Sequence, residues 1–192
     1  MKYDIILAGV GGQGVLSVSA IIASSAMSEG LIVKQSEVHG MSQRGGAVLA
    51  NLRLSDAEIA SDLIPLAGAS MILSMEPLES LRYLQYLSQE GAVVTSINPL
   101  ININDYPEHE DLLASIRSLP KSILIDSERL AREAGSIRAT NMVMTGAASN
   151  FLPIKAGTME RYIETLFASK GEKVVNINLK AFQAGREAAG LM

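Results

Sequence analysis

The chain has 192 residues, a formal net charge of −4, 48% hydrophobic and 19% charged residues, and neither cysteine nor tryptophan. That length suits one domain with a real core, and the acidic balance, without a basic stripe interleaved with aromatics, speaks against nucleic acid as a partner. Without cysteine the chain has no disulfide, no thiolate nucleophile and no cysteine-ligated iron–sulfur cluster of its own.

His39 and His109 are the only histidines, and neither stands in a metal-type spacing with carboxylates, so no metal site is expected. The N-terminus reaches glycines too soon for a signal peptide. No uninterrupted apolar run approaches the roughly 18 residues of a membrane span. The expectation is a cytoplasmic protein without a membrane partner.

Ile5-Ile6-Leu7-Ala8 is a short apolar run of the kind buried on both faces of a sheet. Val15, Val18, Ile21, Ile22 and Met27 recur at helical spacing, and Gly30 closes that helix. Leu31–Lys34 reads as a second strand, which completes a βαβ unit with a right-handed crossover. Ser36–Gly46 reads as an irregular loop. Ala47–Leu54 alternates, with Asn51 and Arg53 on a solvated face, as an antiparallel addition to the sheet would. Met71–Met75 is a buried strand, and Glu76-Pro77 starts a helix running through Leu87, with Pro77 in its first turn. Ala92–Thr95 and Ile123–Asp126 are further strands, with a short amphipathic helix near Leu112–Leu119 between them. Helices follow over Ser127–Ala134, Asn141–Leu152 and Thr158–Ala168, then a short strand at Val174–Ile177 and a terminal helix from Leu179 to Leu191. The sum is an α/β class protein: one three-layer α/β/α Rossmann-like domain over residues 1–192 with a mostly parallel, mixed sheet.

Two segments carry candidate chemistry. Gly9, Gly11 and Gly14 satisfy the G-x-G-x-x-G dinucleotide pattern between a strand and a helix, where backbone N–H groups and the helix N-terminus meet an anion. Gly12 and Gln13 complete the loop, and Glu37 lies roughly where a ribose-binding acid is wanted. The same glycines also serve plain close packing of strand and helix. The second segment is His39, Ser42, Gln43 and Arg44, bracketed by Gly40, Gly45 and Gly46 after a strand end. In an open α/β sheet this loop belongs beside the first, with Arg44 as partner to a phosphate or carboxylate and His39 as a donor or titrating group. Glu76, Glu79 and Arg82 read as a helix start with an ion pair, Asn141 as core packing plus a cap, and His109 as part of an exposed acidic loop. Lys180 and Arg186 read as solvated. No catalytic residue stands out. The readings open on these residues alone are an NAD(P)-dependent dehydrogenase using Gly9, Gly11, Gly14 and Glu37, and a nucleotide- or coenzyme-binding module.

The pairing of Gly9-Val10-Gly11-Gly12-Gln13-Gly14-Val15 with Ser36-Glu37-Val38-His39-Gly40-Met41-Ser42-Gln43-Arg44-Gly45-Gly46 resembles the gamma-type domain of the 2-oxoacid:ferredoxin oxidoreductases. The Ser-Glu-Val-His-Gly-Met form is most similar to that of the indolepyruvate:ferredoxin oxidoreductase beta subunits. Glu76–Tyr83, Asn141–Met144 with Gly146, and Asn178–Gly185 extend the resemblance to the whole chain. Ser70 stands where relatives usually carry Asp, Thr145 where many have Leu, and 98–120 is idiosyncratic. The resemblance implies a subunit, inactive alone, of an enzyme that oxidatively decarboxylates a 2-oxoacid (indolepyruvate or another aryl pyruvate) to an acyl-CoA and reduces ferredoxin. It implies thiamine diphosphate and iron–sulfur clusters on a partner alpha subunit. The glycine loop and the His39–Gly46 loop then become either the site for a CoA phosphate or the surface that closes on the partner, with Arg44 leaning to the anion and Met41 to the interface. An isolated gamma-type subunit exposes that surface, so a homodimer is an expected state of the free chain.

Overall fold

The computed structural model describes residues 1–39 and 45–190, apart from the side chain of His39. Six strands form one sheet in the order β2-β3-β1-β4-β5-β6. They are β1 (Lys2–Val10), β2 (Ile32–His39), β3 (Ala47–Ser55), β4 (Ala69–Ser74), β5 (Leu87–Ser96) and β6 (Ser122–Ile125). β1, β4, β5 and β6 pair in parallel, and β3 runs antiparallel to both β1 and β2. The helices are α1 (Val15–Ser28), α2 (Pro77–Arg82), α3 (His109–Arg117), α4 (Ser127–Ala134), α5 (Thr140–Ser149), α6 (Ala156–Phe167) and α7 (Glu172–Gly190). The three-layer, mostly parallel α/β reading holds. No helix among the described residues is long and apolar enough to cross a membrane.

Local chemistry sets the helix ends. α1 buries Val15, Val18, Ile21, Ile22 and Ala26 on one face. It stops where Gly30 takes a positive φ and the Leu31 N–H returns to the Ala26 carbonyl at 3.0 Å. α4 repeats the device: the Asp126 carboxylate accepts from the Arg129 N–H at 3.1 Å, Gly135 turns at φ 118, and the Ser136 N–H reaches the Ala131 carbonyl at 2.9 Å.

Four expectations are corrected. β2 runs on through Ser36 to His39, because each of its residues from Ile32 pairs with β3, up to His39 opposite Val48. β3 is the expected antiparallel strand and lies between β2 and β1. Its Asn51 (5% exposed) and Arg53 (8%) are buried rather than solvated. The helix from Pro77 ends at Arg82, a short 3-10 turn spans Leu84–Tyr86, and Leu87 already begins β5. The expected strand at Val174–Ile177 is the first part of α7, whose buried Asn178, Ala181, Phe182, Gly185 and Ala189 continue one helical face. Packing of that face overrides the strand preference of the β-branched residues.

The two sheet faces are closed differently. On one, Ile5, Leu7, Leu52, Leu54, Met71, Leu73 and Val94 meet α1 and α4–α7 in an apolar core. On the other, a smaller cluster of Ile6, Ile72, Val93, Leu112, Leu113 and Ile116 lies beside buried polar groups. There Arg53 grips Asp4, its opposite number on β1, through two bonds of 3.0 Å. Its remaining Nη1 donates to the carbonyls of Ser61 and Leu63, each at 2.9 Å. Asn51 Oδ1 accepts the Ile64 N–H at 3.2 Å, so the segment between β3 and β4 is stitched over the sheet.

Candidate functional site

β1 leads through α1 to β2 on one side, while β4 and β5 extend the sheet on the other, so the chain changes direction between β1 and β4. Ligand sites of open α/β sheets form at such a crevice, beyond the carboxyl ends of the strands. The glycine loop lies there, between the end of β1 and the start of α1. Gln13 fills the crevice itself: its Oε1 accepts the Val10 N–H at 2.8 Å and its Nε2 donates to the Met75 carbonyl at 3.3 Å. Gly9 is required by this plug, since a Cβ would stand 3.0 Å from Gln13 Oε1 and 2.9 Å from Val15 Cγ2.

The outer rim of the loop is open. Gly12 (φ 105) and Gly14 (φ 80) are left-handed, and α1 starts from Gly14 without a side-chain cap or an acid in its first turn. The N–H groups of Gly12, Gly14, Val15 and Leu16 have no acceptor among the described residues. A helix end left in this state carries partial positive charge and suits an anion. Just inside the rim is a cavity of about 110 Å³ lined by Gln13, Met75, Ser96, Asn98, Thr140 and Met144 among others. Nucleotide-sized sites run to about 300 Å³ and more, so this cavity is too small to hold a whole nucleotide.

The two loops singled out in the sequence do meet. The Gly11 N–H donates to the Gly46 carbonyl at 2.8 Å, and the Gly45 N–H returns to the Gly11 carbonyl at 3.4 Å. Gly9, Gly11, Gly12, Gln13, Gly14, Gly45 and Gly46 therefore share one edge. Ser42, Gln43 and Arg44, with Gly40 and Met41, lie outside the described residues, as does the His39 side chain. Glu37 is not brought to the glycine loop. It sits exposed on edge strand β2, hydrogen-bonded by Gln35, with β3 between it and β1. Two strand spacings, about 10 Å, separate it from the strand that ends in the loop, because a hairpin partner occupies the place next to β1. A ribose acid has to stand on the neighbouring strand, so the dehydrogenase reading loses its second element.

Other residues around this edge do more than their sequence pattern suggests. Glu76 (1% exposed) caps α2 by accepting the Glu79 N–H at 2.9 Å, and its other oxygen accepts from the Tyr106 hydroxyl and, at 3.4 Å, the Leu100 N–H. Burial, reinforced by Glu76, pushes the Tyr106 hydroxyl above its ordinary pKa. Glu79 (2% exposed) pairs with Arg82 at 2.9 Å as expected, but it is buried, and desolvation raises its carboxyl above the ordinary range. Asn98 Oδ1 accepts from Ser127 Oγ and the Glu128 N–H at 3.1 and 2.9 Å. Asn102 Nδ2 reaches the Gly45 carbonyl at 2.6 Å. The idiosyncratic 98–120 segment thus braces the second loop at Gly45. His109 is not on a free loop: it begins α3 and its Nε2 is 2.7 Å from the Ile97 carbonyl, where it donates as the Nε2–H form. Arg186 is half-buried and donates to Ser149 Oγ at 3.0 Å, while Lys180 is exposed. A lone asparagine or glutamate carries no periodic signal, which is why these anchors escaped the sequence.

Comparison with known proteins gives a consistent picture. The family described as pyruvate ferredoxin/flavodoxin oxidoreductase matches residues 4–188. An indolepyruvate oxidoreductase subunit, IorB, of Archaeoglobus fulgidus is 35% identical over 96% of this chain and 94% of its own length. Among solved structures, a keto/oxoacid ferredoxin oxidoreductase gamma subunit from Geobacter sulfurreducens matches with TM-score 0.73 and 23% identity, covering 99% of both chains. A 2-oxoglutarate:ferredoxin oxidoreductase from Magnetococcus marinus, with 2-oxoglutarate, coenzyme A and succinyl-CoA bound, matches with TM-score 0.78 and 22% identity. All of this chain is covered there but only 31% of that longer chain.

Proposed function

Because the chain belongs to the pyruvate ferredoxin/flavodoxin oxidoreductase family, we propose that residues 1–192 form a single gamma-type domain supplied as a separate subunit. The chain is a subunit of a 2-oxoacid:ferredoxin oxidoreductase of the indolepyruvate class. In our reading the complex works in the cytoplasm, oxidatively decarboxylating an aryl pyruvate to an acyl-CoA and passing electrons to ferredoxin. Thiamine diphosphate and the iron–sulfur clusters belong to a partner alpha subunit, consistent with a chain that has no cysteine. The subunit alone is inactive, and when isolated it pairs with a second copy through the surface the partner covers.

One observation supports a coenzyme role for this subunit: the uncapped start of α1, with four N–H groups that have no acceptor among the described residues, shares its rim with Gly45 and Gly46. These donors fit a phosphate of coenzyme A, the ligand found in the Magnetococcus marinus structure. When bound, coenzyme A supplies the thiol that takes up the acyl group. The role of this chain's residues is to hold the phosphate end, with Arg44 as a further cation and His39, Ser42 and Gln43 as polar neighbours. The test is co-expression with the thiamine-binding subunit and an assay of viologen dye reduction dependent on both 2-oxoacid and coenzyme A. Activity that needs both chains is expected; NAD-dependent turnover by this chain alone would overturn the reading.

A further inference from the structure

Asn141 is the second residue of α5, only 9% exposed, and packed against the glycine loop. The Cβ that Gly14 lacks would stand 2.5 Å from Asn141 Nδ2. The orientation of this amide follows from its other end: Oδ1 accepts the Met142 N–H at 3.0 Å, so the group turned toward Gly14 is the NH2. That NH2 has no hydrogen-bond acceptor among the described residues. Beside it, from Gly14 onward, the N–H groups at the start of α1 likewise have no acceptor among the described residues. No acid occupies the first turn of α1 to balance them. Two donor sets held side by side with no acceptor between them repel each other. A bound anion removes that cost by accepting from both.

We infer that Asn141 is an anion-recognition residue, donating its side-chain N–H to a phosphoryl oxygen held at the N-terminus of α1. The inference rests on the reading of the glycine loop as a phosphate site and adds a donor from a different helix, one that packing alone had explained. The contact explains why Gly14 has to be glycine twice over: its φ of 80 is left-handed, and a side chain there would displace the amide. The recognised chemistry is a phosphate or diphosphate, and two sources can supply it, coenzyme A and thiamine diphosphate.

The test titrates the full chain calorimetrically with inorganic pyrophosphate, coenzyme A and thiamine diphosphate, then repeats each titration with Asn141→Asp. The variant is isosteric and places a carboxylate in the first turn of α5 and beside the start of α1, where it favours both helices, so the melting midpoint is expected to hold or rise. Pyrophosphate affinity is expected to fall by at least about tenfold, the loss of one charge-assisted bond plus like-charge repulsion. The coenzyme whose affinity falls with it is the phosphate source. Equal affinities for wild type and variant overturn the role of Asn141 while leaving the subunit reading untouched, since that reading is decided by the two-chain assay. A second measurement needs no variant: in amide NMR spectra of the wild-type chain, pyrophosphate should shift the signals of Gly12, Gly14, Val15, Leu16 and the Asn141 side-chain NH2. Absence of shifts there, or of any binding, overturns the inference.

Discussion

The two faces of the sheet solve the burial problem in opposite ways. The face under α1 and α4–α7 is closed by aliphatic side chains and by backbone meeting backbone. Where α5 crosses α7, a Cβ on Gly146 would fall 1.9 Å from the Phe182 carbonyl oxygen, and one on Gly185 would fall 1.9 Å from that of Val143. The other face is closed by polar clamps: Arg53 on Asp4 and on the 56–68 segment, Glu76 on the loop before α3, and Glu79 with Arg82. Apolar closure is spread over many small contacts. Polar closure is concentrated in a few groups, each costly to leave unpaired. The first face therefore tolerates little added volume, and the second tolerates little lost charge.

The sharpest way to break the first face is Gly185→Ala or Gly146→Ala. Either places a methyl group inside a helix crossing that only backbone shifts can relieve, at a cost upward of about 3 kcal/mol, the upper end of overpacking. A fall in the denaturant midpoint at constant slope checks it. On the second face, Arg53→Met leaves Asp4 buried and releases the carbonyls of Ser61 and Leu63. Lys2 still stands 3.0 Å from Asp4, so the expected loss is about 2–3 kcal/mol, below that for a wholly abandoned buried charge. If Arg53→Met proves neutral, the polar clamp is not what holds this face.

Between the faces, Gly14→Ala and Gly12→Ala separate conformation from contact. Both residues are left-handed, but a Cβ at Gly12 meets nothing within 4 Å, whereas at Gly14 it meets Asn141. Gly12→Ala should cost about 1 kcal/mol, the left-handed penalty alone, and Gly14→Ala visibly more in the same unfolding experiment.

The smallest effect is one of slope. Glu79 has a raised carboxyl pKa in the folded chain, from burial first. The native state then binds more protons than the unfolded one above the ordinary value of 4.5, so the stability Glu79 contributes is full below that pH and is lost as pH rises toward the folded value. Glu79→Gln should flatten that decline in a series of unfolding curves from acid to neutral pH. An unchanged profile would show that Glu79 is not desolvated as its burial requires.

Much of the architecture is legible in the pattern of residues. Apolar runs gave β1, β4 and β5, helical spacing gave α1, and Gly30 marked the end of α1 by the one conformation it favours. The glycine loop and its neighbour Gly45-Gly46 were readable as a pair, because both follow strands of one sheet. The polar anchors were not. Asn51 and Arg53 alternate as a solvated face would, and only the 56–68 segment folding back over them makes them interior. Val174 and Val175 favour a strand locally, and only the apolar face they share with Phe182 makes them helical.

By itself, then, the sequence determined the class of fold, the glycine loop between a strand and a helix, and membership of a family recognised end to end. Tertiary structure decided the rest, since β3 standing between β2 and β1 carries Glu37 away from the loop, while α5 brings Asn141 to it from well over a hundred residues along the chain. Such placements depend on which elements become neighbours, and neighbours are chosen by the summed burial of whole faces rather than by any local run of residues.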